Sequence, residues 1–399
     1  MKAGPVNERL LVFILAGVQF THILDFMVLM PLGPQLIRVM HIDARQFGLL
    51  VAAYVFVAAL ASFLVALHLD RFDRKQALTF VFCGFLVSTL LCGFANSFET
   101  LLAARALAGA FGGVAGSIVH SIIGDAFPDH RRGAATGAVM SAFSFSAVLG
   151  VPIGLFFANH FDWRAPFFFV AAIAVLILLG IRRVVPSMRG HIGAAKNKPD
   201  ALRQLRAVFA DPNHRRAFVL MATLIFGGFS VIPFISPYMV ANVGLKETDL
   251  PYLYFFGGLA TAFTSRLIGR LSDKHGKREI FTVVAAFSIL PLLVTTNMPP
   301  VPVWLAVCGS VLFFIFVSGR FVPAMALINS AAQPGLRGSF LSFASSIQQV
   351  ASGCASLLSG FLIGHAADGA LTRYWLVGLI AVGCTLAAIA LAWRVKPIS

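Results

Sequence analysis

Twelve long apolar runs are the feature that most restricts what this chain of 399 residues can fold into. A helix rises about 1.5 Å per residue, so about 20 apolar residues cross the hydrocarbon core of a bilayer. With 58% hydrophobic residues, the composition excludes a soluble fold of this length. We therefore predict an all-α membrane protein with twelve transmembrane helices. The runs are 10–37, 47–69, 76–95, 98–124, 133–158, 164–184, 216–242, 249–270, 279–296, 301–328, 337–364 and 372–393.

The basic residues predict which side of the membrane the termini occupy. Of the 31 Lys and Arg residues, most lie in the termini or in connections on the same side as the termini. The opposite side carries only Arg38, Arg45, Arg164, Lys246 and Arg373. By the positive-inside rule, both termini are expected in the cytoplasm and the protein in the inner membrane of a cell. The net charge of +15 is then explained by topology, so we expect no nucleic-acid partner.

The sequence indicates neither an enzyme nor a metal protein. No phosphate-binding glycine loop, metal cluster or nucleophile constellation is present, so we expect no cofactor. The five cysteines lie within the runs without CxxC spacing, which predicts packing residues and no disulfide. The first run is too long for a cleavable signal peptide and has no small-residue cleavage site, so we expect it to direct membrane entry itself.

A long polar interruption divides the runs into six and six. It extends from Arg182 to Arg216 and is rich in basic residues. Leu202, Leu205 and Val208 follow helical spacing within it, which fits either a short helix on the anionic membrane surface or a flexible linker. The predicted domains are an N-terminal six-helix bundle at 1–184, a cytoplasmic linker at 185–215 and a C-terminal six-helix bundle at 216–399.

Two loop motifs recur in both halves. Asp70-Arg71-Phe72-Asp73-Arg74-Lys75 follows the second run, and Asp273-Lys274-His275-Gly276-Lys277-Arg278 follows the eighth, so both read Asp, base, two others, base, base. A second pair, 128–133 and 334–338, precedes the fifth and eleventh runs at a similar separation. The repeat predicts two pseudo-symmetric six-helix bundles. A duplicated unit with a path between its copies is typical of secondary transporters.

On these motifs the chain resembles the major facilitator superfamily, and within it the twelve-span drug and proton antiporters, including the sugar-efflux-like bacterial members. The loop signature of the family, Gly-x-x-x-Asp-Arg-x-Gly-Arg-Arg/Lys, is matched at four positions, while Ala66 and Asp73 stand where glycines are usual. The matching residues are Asp70, Arg71, Arg74 and Lys75. The resemblance implies that these loops latch the cytoplasmic face in one state. The residues it implicates are Asp70, Arg71 and Arg74, with Asp273 and Lys277 in the second copy.

Two further motifs support the resemblance. Arg105-Ala106-Leu107-Ala108-Gly109 is similar to the fourth-span signature Arg-x-x-Gln-Gly, with Ala108 in place of glutamine. In the fifth run, Gly150, Pro152 and Gly154 resemble a shortened antiporter signature. Glycine and proline at these positions are expected to soften the fifth span, as rocking halves would require.

Asp25 is the one acidic residue, of 16, that falls well inside a run. A carboxylate at the centre of a bilayer costs about 2.5 to 3.5 kcal/mol on insertion scales, so it needs a reason to be there. Desolvation favours the protonated form, so Asp25 is a candidate proton carrier. Thr21 and His22 lie one turn earlier and would extend a polar stripe. The alternative is that Asp25 is a permanently charged partner of a buried arginine.

Arg105 is the expected partner of Asp25, since the resemblance implies that the first and fourth spans line a central cavity. Protonation of Asp25 would release Arg105 and couple charge to conformation. We predict a proton-coupled secondary active transporter with Asp25, Arg105 and His22 as coupling residues. It is expected to be a proton antiporter that exports a drug-like, sugar-like or amphiphilic molecule. An uptake symporter and an uncoupled facilitator or receptor of the same fold are the alternatives.

The substrate site is predicted only in outline. Arg320, in the tenth run, would attract anionic or strongly polar groups if it faces a cavity, or else bond to backbone carbonyls or a neighbouring helix. Phe226, Phe229 and Tyr238 of the seventh run and Gln349 of the eleventh are the other predicted lining residues. We expect a monomer in lipid whose partners are protons and a small-molecule substrate that the sequence does not identify.

Overall fold

The computed structural model describes residues 7–66, 71–189 and 201–398, and nearly all of them are helical. The helices are α1 Glu8–Val28, α2 Gly33–Met40, α3 Ala44–Ala66, α4 Arg74–Phe94, α5 Phe98–Ala126, α6 Asp129–Phe145, α7 Val151–His160, α8 Ala165–Val184, α9 Ala201–Ala210, α10 Pro212–Val231, α11 Ile235–Ala241, α12 Leu250–His275, α13 Lys277–Thr296, α14 Val303–Phe313, α15 Phe321–Ser330, α16 Arg337–Leu362 and α17 Tyr374–Ala392. Two short strands, β1 Gly364–His365 and β2 Leu371–Thr372, pair antiparallel between α16 and α17.

The predicted spans form within the described residues. Ten helical segments are long and apolar enough to cross a membrane. The two remaining spans, α12 and α16, are 26 residues long but less apolar. Three predicted runs are pairs of helices joined by a short stretch of π-helix or 3₁₀-helix: α6 with α7, α10 with α11, and α14 with α15.

The first run differs from the single tilted helix that its apolar length predicts. It breaks after Val28 and resumes as α2 at Gly33. Pro31 and Pro34 explain the break, because each lacks an amide hydrogen and its ring excludes the preceding helical turn. Asp25 consequently lies in the last turn of α1 and not in the middle of a helix.

Proline also accounts for the irregular turn in the fifth span. The missing amide hydrogen of Pro152 leaves the carbonyl four residues earlier without its helical partner. The segment Ser146–Gly150 takes up a π-helical turn just before this proline. In the seventh span Pro233 lies within a 3₁₀ turn, Ile232–Phe234, between α10 and α11. The irregularity in the fifth span falls where Gly150, Pro152 and Gly154 predicted a softened helix.

The chain forms two compact units. The first comprises Met1–Leu29 and Ala53–Lys198, and the second comprises Met30–Ala52 and Pro199–Ser399. Thus α2 and the beginning of α3 belong to the second unit, whereas the rest of α3 belongs to the first. A division into bundles at 1–184 and 216–399, with a linker at 185–215, stays a prediction.

A short helix, α9, forms inside the predicted linker. Val208 is fully buried in the core of the second unit, where Phe218 and Phe340 also lie. The Phe209 ring lies 5.3 Å from the Phe218 ring and 5.5 Å from the Phe343 ring. Of the two possibilities for the linker, this part adopts the helix, and its Val208 and Phe209 side chains pack within the second unit.

Candidate functional site

A buried ion pair in the first unit is the centre of the candidate site. Arg105 Nη1 donates to Asp25 Oδ2 at 2.7 Å and to the Asp25 carbonyl oxygen at 3.2 Å. Both side chains are fully buried. The hydroxyl of Thr89 on α4 donates to the second carboxylate oxygen, Oδ1, at 3.3 Å. The predicted pairing of Asp25 with Arg105 is therefore the arrangement found, joined by a threonine that was not predicted.

The guanidinium of Arg105 is incompletely satisfied. Its Nε and Nη2 have no hydrogen-bond partner in the described parts of the chain. The thiol of Cys92 on α4 lies close enough to interact electrostatically. The ring of Tyr54 on α3 covers the guanidinium, with Arg105 Cζ 4.5 Å from the ring centroid. A buried cation with free donors depends strongly on the charge of its one carboxylate.

Small residues in the fifth span allow α1, which carries Asp25, to approach that span closely. A Cβ on Gly150 would lie 2.8 Å from Leu24, and a Cβ on Gly154 would lie 2.8 Å from Val28. Leu24 and Val28 flank Asp25 on α1, so the glycines of the antiporter-like motif place α1 against the fifth span. Whether Gly150, Pro152 and Gly154 also serve in gating stays a prediction.

The face of α5 toward α3 is likewise made of glycine. A Cβ on Gly109 would overlap the carbonyl oxygen of Tyr54, and one on Gly112 would overlap the Tyr54 hydroxyl. The Tyr54 hydroxyl donates to the carbonyl oxygen of His22 at 3.3 Å. Gly109, Gly112, Gly113 and Gly116 recur at helical spacing along α5, and such spacing is a sequence signal for close helix approach. Nothing in the sequence singled out Tyr54 as the residue that fills it.

His22 and Thr21 occupy different environments from Asp25. The Thr21 hydroxyl is buried and donates to carbonyl oxygens of its own helix, at Gly17 and Val18. His22 is partly exposed, and its Nε2 lies 2.6 Å from Oε1 of Gln19, so this nitrogen carries the hydrogen. His22 reaches the ion pair through its backbone and Tyr54, and its ring is not bonded to Asp25. A coupling role for the His22 imidazole stays a prediction.

This arrangement can respond chemically to a single proton. Removing one partner of a buried pair typically costs about 3 to 5 kcal/mol, because the other charge is left uncompensated. A proton on Asp25 has the same electrostatic effect without any mutation. It would leave Arg105 charged, buried and held only by neutral groups. Protonation would therefore destabilise this packing of α1 against α5 relative to any packing that hydrates the arginine.

The first loop motif ties together the ends of two spans. Asp70 lies outside the described residues, and Arg71 is exposed. Arg74 is almost fully buried, and its Nε donates to Oδ2 of Asp125 at 3.0 Å. Asp125, in the last turn of α5, was not predicted. A latch formed by Asp70, Arg71 and Arg74 stays a prediction.

In the first loop motif, the carboxylate of Asp73 accepts several hydrogen bonds. Asp73 caps α4, where its carboxylate accepts hydrogen bonds from the backbone of Lys75 at 2.8 Å and Gln76 at 3.4 Å. It also accepts from the hydroxyl of Ser187 and from Nε of Arg189 at 3.1 Å. Burial works to raise the pKa of Asp73, but these hydrogen bonds outweigh it and hold the pKa below its ordinary value. An Asp just before a helix start is an N-cap signal that could have identified it.

Over the described parts of the chain, the acidic and basic side chains of the second loop motif make fewer contacts than those of the first. Asp273 is exposed, and neither Asp273 nor Lys277 forms an ion pair within the described residues. Gly276 has a φ of +100° and joins α12 to α13, a conformation that favours glycine. The neighbouring base, Arg278, donates to the backbone carbonyl of Val395. A gating role for Asp273 and Lys277 stays a prediction.

Arg320 is a second fully buried cation, placed in the second unit. Its Nη1 donates to the Ser288 hydroxyl at 2.9 Å and to the Thr385 hydroxyl at 2.7 Å. It forms no ion pair within the described residues, and its Nε has no hydrogen-bond partner there. Bonding to neighbouring helices, one of the two predicted possibilities, is the arrangement found. Substrate binding by Arg320 stays a prediction.

The other predicted lining residues are scattered through the second unit. Phe226 and Phe229 of α10 are partly exposed. Tyr238 of α11 is buried, and its hydroxyl donates to the carbonyl oxygen of Met298 at 3.2 Å. The side-chain oxygen of Gln349 on α16 is buried without a partner in the described residues, so it is an available acceptor. Their contact with a substrate stays a prediction.

No group of His, Cys, Asp and Glu side chains suited to a metal ion occurs in the ranges 7–66, 71–189 and 201–398. The five cysteines are free thiols. The charged chemistry of the described residues therefore centres on Asp25 with Arg105 and on Arg320.

Comparison with known proteins gives a family match over most of the chain. The model of the Major Facilitator Superfamily matches residues 15–294 and 217–399. An uncharacterized MFS-type transporter of Bacillus subtilis (strain 168) is 27% identical over 354 residues, which are 88% of this chain and 88% of that protein. A probable sugar efflux transporter of Helicobacter pylori (strain G27) is 25% identical over 281 residues, which are 70% of this chain and 65% of that protein.

Solved structures share the fold at low sequence identity. The crystal structure of a D-xylose-proton symporter has a TM-score of 0.77 and 18% identity, covering 98% of both chains. A nucleoside transporter has a TM-score of 0.78 and 12% identity, covering 98% of this chain and 100% of the other. These similarities show the twelve-helix fold alone. The relatives named here are transporters and not enzymes.

Proposed function

Because this chain belongs to the Major Facilitator Superfamily, we propose that it is a proton-coupled secondary transporter in which Asp25 and Arg105 form the coupling pair. The observation that supports this most directly is the buried ion pair at 2.7 Å, with one arginine and one carboxylate and no exposed atom on either side chain. A permanently buried pair is a weak source of stability, so its presence needs another explanation. Proton exchange at Asp25 supplies one.

In this mechanism the ionised and protonated states of Asp25 favour two different arrangements of the helices. With Asp25 ionised, Arg105 is held and α1, α4 and α5 keep the packing described above. Protonation of Asp25 removes the attraction and favours a second arrangement of the same helices. Release of the proton on the other side of the membrane restores the pair. The proposed transport cycle is alternating access. We place the protein in the inner membrane of the cell, with both termini in the cytoplasm.

We propose export as the direction and a sugar-like or other small organic molecule as the cargo. The Helicobacter pylori relative, named a probable sugar efflux transporter, supports both choices. The glycines at 150 and 154, which resemble the antiporter signature, agree with exchange of substrate for protons.

The test is proton movement in proteoliposomes that contain a pH-sensitive dye and are loaded with sugars, organic acids or lipophilic cations in turn. Outward flow of a cargo should acidify the interior by antiport, whereas symport would make the interior more alkaline. Asp25→Asn should abolish the coupled signal while leaving expression and monodispersity intact. Asp368→Asn is the matched control, since it removes an exposed carboxylate outside the loop motifs that has no ion pair in the described residues.

Coupled proton movement that persists in Asp25→Asn would refute the proposal. Cargo flux without any proton signal in the wild type would indicate an uncoupled facilitator.

A further inference from the structure

Tyr54 lies where it can influence the ion pair, although neither the motifs nor the comparisons draw attention to it. Its side chain is 4% exposed, and its ring covers the Arg105 guanidinium at 4.5 Å. Gly109 and Gly112 of α5 leave the space that the tyrosine backbone and hydroxyl occupy. Phe26, next to Asp25 on α1, also packs against this ring, with ring centroids 5.3 Å apart. The Tyr54 side chain, which belongs to α3, is therefore packed between residues of α1 and α5.

The face of an aromatic ring carries negative electrostatic potential, which attracts a cation. Beside an ionised Asp25 this attraction is partly cancelled, because the same negative face repels the carboxylate. When Asp25 is protonated, the repulsion disappears and the attraction for Arg105 remains. The ring therefore stabilises the protonated state of the pair more than the ionised state.

The other polar groups around the pair do not provide this difference. Thr89 donates its hydroxyl to Asp25 and so stabilises the ionised carboxylate. Cys92 of α4 lies beside the guanidinium, while His22 of α1 and His120 of α5 interact with each other. His22 contributes its backbone carbonyl to the Tyr54 hydroxyl. When the carboxylate is neutralised, Arg105 keeps the Asp25 carbonyl oxygen as an acceptor, and the aromatic face attracts the cation in addition.

We propose that Tyr54 is a positioning residue of the coupling site, whose negative aromatic face keeps contact with the Arg105 cation, disfavours the ionised Asp25 carboxylate and so raises the pH at which the pair exchanges its proton. This inference rests on the proposed function of Asp25 and Arg105. It assigns the effect to the ring and not to the hydroxyl, which bonds only to a backbone carbonyl.

The experiment follows the protonated carboxyl of Asp25 by infrared difference spectroscopy during a pH titration of the full-length protein in lipid. Its carboxyl band is identified as the one that Asp25→Asn removes. Position 54 carries tyrosine, phenylalanine, or phenylalanine with one, two or three ring fluorines. Fluorine weakens the negative face of the ring while changing its shape very little, so this series avoids the folding defect that Tyr54→Leu could cause.

We expect Tyr54→Phe to titrate as the wild type does. Each added fluorine should move the midpoint to lower pH, because a less negative ring face repels the ionised carboxylate less. The same fluorinated residues at Phe82, a buried α4 residue whose ring stacks on Phe85, are the control and should leave the midpoint unchanged.

Three outcomes would overturn the inference. A midpoint that does not change with fluorine content would show that the ring face has no influence. A shift of the full size in Tyr54→Phe alone would assign the effect to the hydroxyl. The absence of any titrating band that depends on Asp25 would refute the proposed function as well, so the two failures are distinguishable.

Discussion

At the scale of single residues, the two buried arginines differ in what they are bonded to. Arg105 faces a carboxylate, whereas Arg320 contacts hydroxyls and forms no ion pair within the described residues. The hydroxyls near Arg320 are already satisfied, since Ser288 also donates to the Ala285 carbonyl and Thr385 to the Ala381 carbonyl. A charge buried in this way costs stability, so function is the better explanation for keeping it.

Replacing each arginine by methionine should therefore have opposite effects. Arg320→Met removes an unpaired buried charge and keeps the volume, so its midpoint of thermal unfolding in detergent should equal or exceed that of the wild type. Arg105→Met leaves the Asp25 carboxylate buried without a cation and should cost about 3 to 5 kcal/mol. Equal destabilisation by both variants would contradict this account. Loss of transport in a stable Arg320→Met protein would support its role in substrate binding.

At the scale of secondary-structure elements, helix ends and helix crossings decide how the site is built. The N-terminus of α4 is held by Asp73, which joins its own backbone to Ser187 and Arg189 beyond α8. The crossing of α3 and α5 has no room for a side chain at Gly109. For each feature the chain offers a matched control residue that lacks the contact: Asp273 for Asp73, and Gly124 for Gly109.

The Asp73 cap should make stability depend on pH. Because its pKa is lower in the folded protein, its contribution is complete above the ordinary carboxyl pKa of about 3.9 and is lost as pH falls through the lower folded value. Asp73→Ala should therefore cost about 1 kcal/mol near neutral pH and progressively less in acid below about pH 4. Thermal unfolding at several pH values measures this. Asp273→Ala, which removes an exposed acid, should show no such dependence, and parallel curves for the two variants would contradict the assignment.

The α3–α5 crossing predicts a position-specific cost of adding one methyl group. Gly109→Ala places a Cβ against the backbone of Tyr54, which cannot move aside cheaply, and should destabilise the protein by about 1 to 3 kcal/mol. Gly124→Ala lies on the same helix with nothing within 4 Å of the new Cβ. It should be neutral or stabilising by up to about 1 kcal/mol through helix propensity. Similar unfolding temperatures for the two variants would show that the crossing is looser than described.

At the scale of the whole molecule, the compact units do not follow chain order. The segment 30–52 belongs to the second unit, while the residues on either side of it belong to the first. Within the second unit, Arg38 of α2 pairs with Glu247 at 2.6 and 3.1 Å. Arg45 of α3 lies 4.5 Å from the centre of the Phe361 ring. Under the proposed alternating access we expect this segment to change partners, since the residues on either side of it in the chain belong to the first unit.

A cross-link at the Arg38–Glu247 pair should therefore stop transport. Cysteines at both positions, in a background without the five native cysteines, would be joined by a short bifunctional thiol reagent. The coupled proton signal should be lost on joining and recovered on reductive cleavage. A control cross-link between positions 211 and 333, whose side chains are 2.6 Å apart within the second unit, should leave transport intact. Full transport by the Arg38–Glu247 cross-linked protein would exclude motion of this segment.

The sequence by itself determined the number of spans, the internal repeat and the isolation of Asp25, because hydrophobic length and the placement of charge follow from transfer free energies along one chain. It also pointed to Arg105, since few buried charges are available to pair. Only the tertiary structure decided that Thr89 and Tyr54 complete the site, that Arg320 contacts hydroxyls, and that 30–52 belongs to the second unit. The reason is physical: membrane helices are apolar toward both lipid and protein, so the residues of a span do not reveal which face meets which neighbour.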